Sequence, residues 1–224
     1  MKRWLYRLQY KYGRYGIENL MMYIVVTMLA VYLAEMILGV PASWYMFFHR
    51  GLILQGQVWR IISFVFLPVG GGNPFMVFLM LYVFYFLGRT LENEWGTFSF
   101  NVYYLFGVIG AIIAGFLAGA VNNQYIYMSI LLAFAYLFPN MEFRLFFLIP
   151  VKVKYIGYVM WILYAIDLFF ALINFSLSNI LALIASLVNF FIFFGPDIYS
   201  QYLTWKKYQG RRRQFRESDK SHWR

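Results

Sequence analysis

The sequence predicts an all-α membrane protein, a bundle of six transmembrane helices with both termini on the cytoplasmic side. Three observations predict it. Of 224 residues, 62% are hydrophobic and only 12% are charged, whereas soluble domains run nearer half apolar and a quarter charged. The apolar residues gather into six runs, at about 19–39, 74–92, 98–121, 124–138, 155–174 and 178–195. A transmembrane helix needs roughly 20 such residues. The basic residues collect at the ends and in alternate loops, which sets the orientation.

Residues 1–18 carry Lys2, Arg3, Arg7, Lys11 and Arg14, and residues 199–224 carry Lys206, Lys207, Arg211, Arg212, Arg213, Arg216, Lys220 and Arg224. Both flanks read as cytoplasmic. So do the loops with Arg89 and with Arg144, Lys152 and Lys154, while only Arg50 and Arg60 fall on the other side. One membrane domain, 19–198, lies between the flanks. The first span has no small-residue cleavage site after it and reads as retained. Glu35, near its outer end, is expected to meet headgroups, Arg50 or Arg60.

The outer connection, 40–73, is too apolar to extend into water and too polar to span, so it is expected to lie half-embedded against the bundle. "PVGGGNP" at 68–74 breaks it. In the second span, Met76 and Met80 read as core filler. The third carries Gly107, Ala111, Gly115 and Gly119 at steps of four, a face where a neighbouring backbone can approach. The fourth is short and suits burial inside the bundle. The fifth holds Asp167, with Asn174 as its polar neighbour, and an acid in a span is a functional candidate. The sixth repeats the small-residue face with Ala182 and Ser186. The last twenty residues or so read as polar, basic and mobile.

Several functions find no support in these residues. With no cysteine and two distant histidines, His49 and His222, no disulfide framework and no metal ligand set can be assembled. "GGGN" leads into no phosphate-loop lysine. No cofactor is expected. The net charge of +10 follows from topology and calls for no nucleic acid; basic flanks of this kind attract anionic lipid.

"GQVWRIISFVFLP" followed by "LYVFYFLGRTLENEWG" resembles the rhomboid superfamily of intramembrane serine proteases. The family's outer-loop Trp-Arg pair corresponds to Trp59-Arg60, and its Gly-x-x-x-Glu turn after the second helix to Gly88 and Glu92. "AYLFPNMEFRLFFLIPVKVKYI" is similar to the family's link from its fourth helix to its fifth. The resemblance runs over nearly the whole chain. It implies that the Arg ties the outer loop to the bundle, against an ordinary interfacial anchor for the pair. It also implies a Ser-His dyad, which this chain lacks: Gln124 stands at the serine position and Asn179 at the histidine position. Met76 and Met80 stand where the oxyanion partners belong.

Ser129, about five residues on and more than a helical turn deeper than Gln124, is a weak alternative nucleophile. A serine needs a base to take its proton. His49 and His222 lie outside the spans and every lysine is on the cytoplasmic side, so Ser129 reads as packing, its hydroxyl bonded back to a carbonyl one turn earlier. The resemblance therefore implies a rhomboid-like pseudoprotease that binds transmembrane segments of client proteins and affects their folding, trafficking or degradation. Asp167 and Asn174 are the candidate client contacts. The alternatives are an active rhomboid-type serine endopeptidase with an unrecognised dyad, and a proton-coupled transporter using Asp167. The expected location is a prokaryotic cell membrane, with the endoplasmic reticulum membrane as the alternative. The oligomeric state stays open.

Overall fold

The computed structural model describes residues 3–69, 73–145 and 149–222. The basic N-terminal stretch is helical as α1 (Arg3–Tyr12) and ends in a 3-10 turn, Gly13–Tyr15. The first apolar run forms α2 (Leu20–Leu38). It begins after Asn19, at φ 56, and stops at Gly39, at φ 64, both left-handed positions of the kind Asn and Gly tolerate.

The outer connection is folded. It contains α3 (Ala42–Met46), β1 (Phe48–His49), α4 (Arg50–Leu54), α5 (Arg60–Ser63) and a 3-10 turn at Phe64–Phe66. Then α6 (Pro74–Trp95) starts with Asn73 as N-cap, its side chain accepting from the Phe75 N–H at 3.0 Å, and with Pro74 at the first helical position. Gly96, at φ 81, turns the chain directly into α7 (Thr97–Ala118). Next come β2 (Ala120–Val121) and α8 (Gln124–Leu137). The strands β3 (Glu142–Leu145) and β4 (Ile149–Lys152) follow, and α9 (Val153–Ile173) and α10 (Leu177–His222) close the chain.

Two antiparallel ribbons modify the all-α expectation. β1 pairs with β2, Phe48 opposite Val121, which ties the outer connection to the end of α7. β3 pairs with β4 from Glu142 opposite Lys152 to Leu145 opposite Ile149, so the stretch expected as a link is a hairpin. The glycine break at 70–72 lies outside the described residues, as do the side chains of the basic tail from 209 onward.

Among the described residues, five helical segments are long and apolar enough to cross a membrane: α2, α6, α7, α9 and residues 179–206 of α10. Only 22–33% of each spanning window is buried, and the rest presents large apolar side chains such as Ile37, Leu38, Ile113 and Phe169 outward. That distribution suits lipid as solvent. The fourth apolar run, α8, has 14 residues, nine of them buried. At about 1.5 Å per residue it is roughly 21 Å long, short of the ~30 Å hydrocarbon core. It packs against α6, α7 and α9, which shield it.

The chain divides into two units, Met1–Asn189 and Phe190–Arg224, with the boundary inside α10. The expected end of the last span near 195–198 is not a helix end. α10 runs on through Pro196 to His222.

Candidate functional site

A helix ends with four backbone carbonyls that lack partners within it. At the end of α3 those of Trp44, Tyr45, Met46 and the C-cap Phe47 are all taken by α5 and its N-cap, Trp59. Arg60 Nη1 donates to Trp44 O at 2.7 Å and Phe47 O at 2.8 Å, Trp59 Nε1 to Tyr45 O at 3.1 Å, and Ser63 Oγ to Met46 O at 3.1 Å. Arg60 Nε donates to Gln57 Oε1 at 2.7 Å. Arg60 is only 2% exposed, whereas Trp59 is 53% exposed. The adjacent pair therefore differs in kind: Arg60 is a buried clamp, and Trp59 is a surface residue with one hydrogen bond.

Glu35 meets neither arginine. Its Oε1 accepts the Ser43 N–H at 2.5 Å in the first turn of α3, where a carboxylate is favoured by the free N–H groups. Arg50 Nη1 donates instead to Phe116 O at 3.0 Å. The loop is held to the start of α8 as well. Asn123 Nδ2 donates to Val65 O and Leu67 O at 3.2 and 2.8 Å, and the Tyr127 hydroxyl donates to Val65 O at 3.1 Å.

Gly88 and Glu92 do not form a turn. Both sit inside α6, and the turn is made by Gly96. Gly88 lets α2 approach, since a Cβ there would collide with Met21. Glu92 is buried, and its Oε1 accepts the Asn19 N–H at 2.9 Å and the Thr97 hydroxyl at 3.0 Å. One carboxylate thus joins the end of α6 to the starts of α2 and α7.

The glycine face of α7 receives side chains more than backbone. At Gly115 a Cβ would stand 2.5 Å from Phe48 Cε1 and 2.8 Å from Val121 Cγ1, so this gap holds the buried loop ring. Gly107 faces Asn189 Nδ2 at 3.2 Å, and Gly110 faces Ala185 Cβ at 3.4 Å. Ala111 and Ala182 are buried. Gly119 is not a packing residue: a Cβ would meet nothing within 4 Å, and its φ of +99 closes the helix instead.

Ser129 is buried where α7, α8 and α10 meet, and its hydroxyl is not bonded back along its own helix. Tyr103 OH lies 2.5 Å from Ser129 Oγ and donates to Ser129 O at 2.9 Å; Asn189 Nδ2 donates to Ser129 Oγ at 3.3 Å and to Tyr103 O at 3.4 Å. One turn along α10, Ser186 Oγ donates to Tyr125 O at 2.9 Å and sits 2.7 Å from Tyr164 OH on α9. A cavity of ≈ 10 Å³ lies between these groups, lined by Gly107, Ala111, Ser129 and Ser186 among others; that is about the room one water requires. The groups on Ser129 are a phenol and an amide. Neither is a base of the kind that activates a serine nucleophile.

The four positions that the resemblance assigns lie elsewhere. Met76 and Met80 are exposed on α6, so they are not core filler. Gln124 is exposed in the first turn of α8, and Asn179 is exposed near the start of α10. Asp167 is half-buried, and Asn174 is exposed, its Nδ2 donating to Phe170 O at 2.8 Å. Among the described residues no three His, Cys, Asp or Glu side chains could hold a metal. Sequence reasoning missed Tyr103, Asn123, Tyr127, Tyr164 and Asn189. Two of them had a signal: Tyr103 continues the Gly107–Ala111–Gly115 stripe one turn back, and Asn189 continues Ala182–Ser186 one turn on.

The fold defines a helical integral membrane protein. No protein-family model matches the chain, and no curated protein is significantly similar to it.

Proposed function

We propose that this chain is a rhomboid-like pseudoprotease: a six-span membrane protein with cytoplasmic termini that binds transmembrane segments of client proteins and alters their folding, trafficking or degradation. The observation that carries the reading is the state of Ser129, whose hydroxyl is held by Tyr103 and Asn189 inside a packed three-helix junction. A hydroxyl used this way specifies helix packing. The Arg60 clamp supports the rhomboid part of the reading, because it folds the outer connection back on itself at the residues that carry the resemblance.

Client binding is supported by α9. Its buried residues, Val153, Gly157, Met160, Tyr164 and Ala171, form one stripe, with Gly157 facing Ala135 of α8, while its other side is open. The helix is thus half-covered, leaving a face on which a further helix can pack. In-membrane photocrosslinking tests this. A benzoylphenylalanine at Ile162, Ile166 or Phe169, all exposed on α9, is expected to capture membrane-spanning segments of a restricted set of proteins. The same group at Tyr23 or Val26 of α2, also exposed, is expected to capture far fewer. Equal, indiscriminate capture from both helices, or none from either, would overturn the proposal.

A further inference from the structure

From the acid that α9 leaves without a partner, we infer that the helix face around Asp167 docks a transmembrane helix of another protein carrying a lysine or arginine at the depth of Asp167. The inference rests on the client binding proposed above and names the partner's chemistry.

Asp167 lies six residues before the end of α9, at Ile173, which is about 9 Å of helix rise. The distance back to Val153 is about 21 Å by the same measure. It is half-buried at the edge of the inner stripe and forms no hydrogen bond or ion pair among the described residues. Tyr164, one turn back, has its hydroxyl committed to Ser186. Leu163, Ile166 and Phe170, next to Asp167 on the helical surface, are 40%, 43% and 56% exposed. A helix packing along this face would meet apolar side chains and one carboxylate.

An ionised carboxylate in hydrocarbon is costly unless an opposite charge meets it. Among the described residues no spanning helix supplies that charge, and Arg50 and Arg60 of the connection 40–73 are engaged elsewhere, Arg50 on Phe116 O and Arg60 on Trp44 O and Phe47 O. Lys and Arg are absent from 20–38, 90–143 and 155–205. Arg89 lies in the last two turns of α6 and Lys154 in the first turn of α9, at the far end from Asp167. A second copy inserted in the same orientation would bring the same two arginines, Arg60 buried and Arg50 held on Phe116 O, and no Lys or Arg in a spanning helix at this depth. Charge complementarity therefore selects a different protein, and the long stem of Lys or Arg lets the cation reach the carboxylate from a position somewhat off its level.

The experiment uses the full chain in lipid nanodiscs with benzoylphenylalanine at Phe170. The probes are synthetic Leu/Ala helices of spanning length with tryptophan anchors, each with a single Lys, Leu or Glu about 9 Å from the matching end. The Lys probe is expected to be captured about tenfold more than the Leu probe, the ratio that ~1.4 kcal/mol gives. In Asp167→Asn the preference is expected to fall within about twofold, a difference under ~0.5 kcal/mol. Asp167→Lys should turn it toward the Glu probe. Capture of the Leu probe at the parental yield shows that α9 is folded in each variant. Equal capture of Lys and Leu probes by the parent, or a Lys preference that survives Asp167→Asn, overturns the inference and leaves client binding standing. If no probe is captured and α9 also captures nothing in native membranes, client binding itself falls.

Discussion

Replacing Arg60 by methionine keeps most of the side-chain stem and removes every donor. The carbonyls of Trp44 and Phe47 then lose their partners at the end of α3, and Gln57 loses the bond to Arg60 Nε. A buried group stripped of its partner costs about 1–3 kcal/mol. Two carbonyls make the expected loss about 2–6 kcal/mol, so about 4 kcal/mol is the working figure. For a chain of this size each kcal/mol lowers Tm by about 2–4 °C, which gives about 8–16 °C. Trp59→Ala removes one half-exposed hydrogen bond and should cost about 1 kcal/mol. Arg60→Lys should fall between, because one ammonium can reach the two carbonyls but cannot also hold Gln57 in a fork. The assay is thermal unfolding in one detergent, parent and variants side by side. An Arg60→Met melt within about 2 °C of the parent, less than 1 kcal/mol by that scale, would refute the capping argument, as would a Trp59→Ala loss equal to it.

Ser129→Ala is expected to cost about 1–3 kcal/mol in the same melt, because it orphans part of a buried Tyr103–Asn189 contact. A fluorophosphonate probe should label neither the parent nor this variant; labelling of the parent that vanishes in Ser129→Ala would make the chain a protease. Gly88→Ala and Gly115→Ala should each cost about 1–3 kcal/mol through overpacking against Met21 and Phe48. Met21→Ala should partly rescue the first and leave the second unchanged, and a failure of that pattern counts against the contacts. Reporters fused before Met1 and after Arg224 should both read cytoplasmic; one outward end would change the span count.

Composition and run length determined the class of this protein, because solvation of apolar side chains is a local property that adds along the chain. The starts of α2, α6, α7, α8 and α9 fall within two residues of the positions read from the apolar runs. The small-residue stripes of the third and sixth spans were legible for the same reason, since a helix puts positions four apart on one face. Partners were not legible. Whether Ser129 bonds along its helix or across to Tyr103, whether Glu35 faces arginine or the Ser43 N–H, and whether Gly119 packs or merely turns all depend on which atoms converge from residues far apart in sequence. Hydrogen bonds act over about 3 Å and respond to direction. An adjacent pair such as Trp59 and Arg60 can therefore look alike in sequence and end up on opposite sides of a surface. Only the packing of α3 against α5 separated the exposed ring from the buried guanidinium.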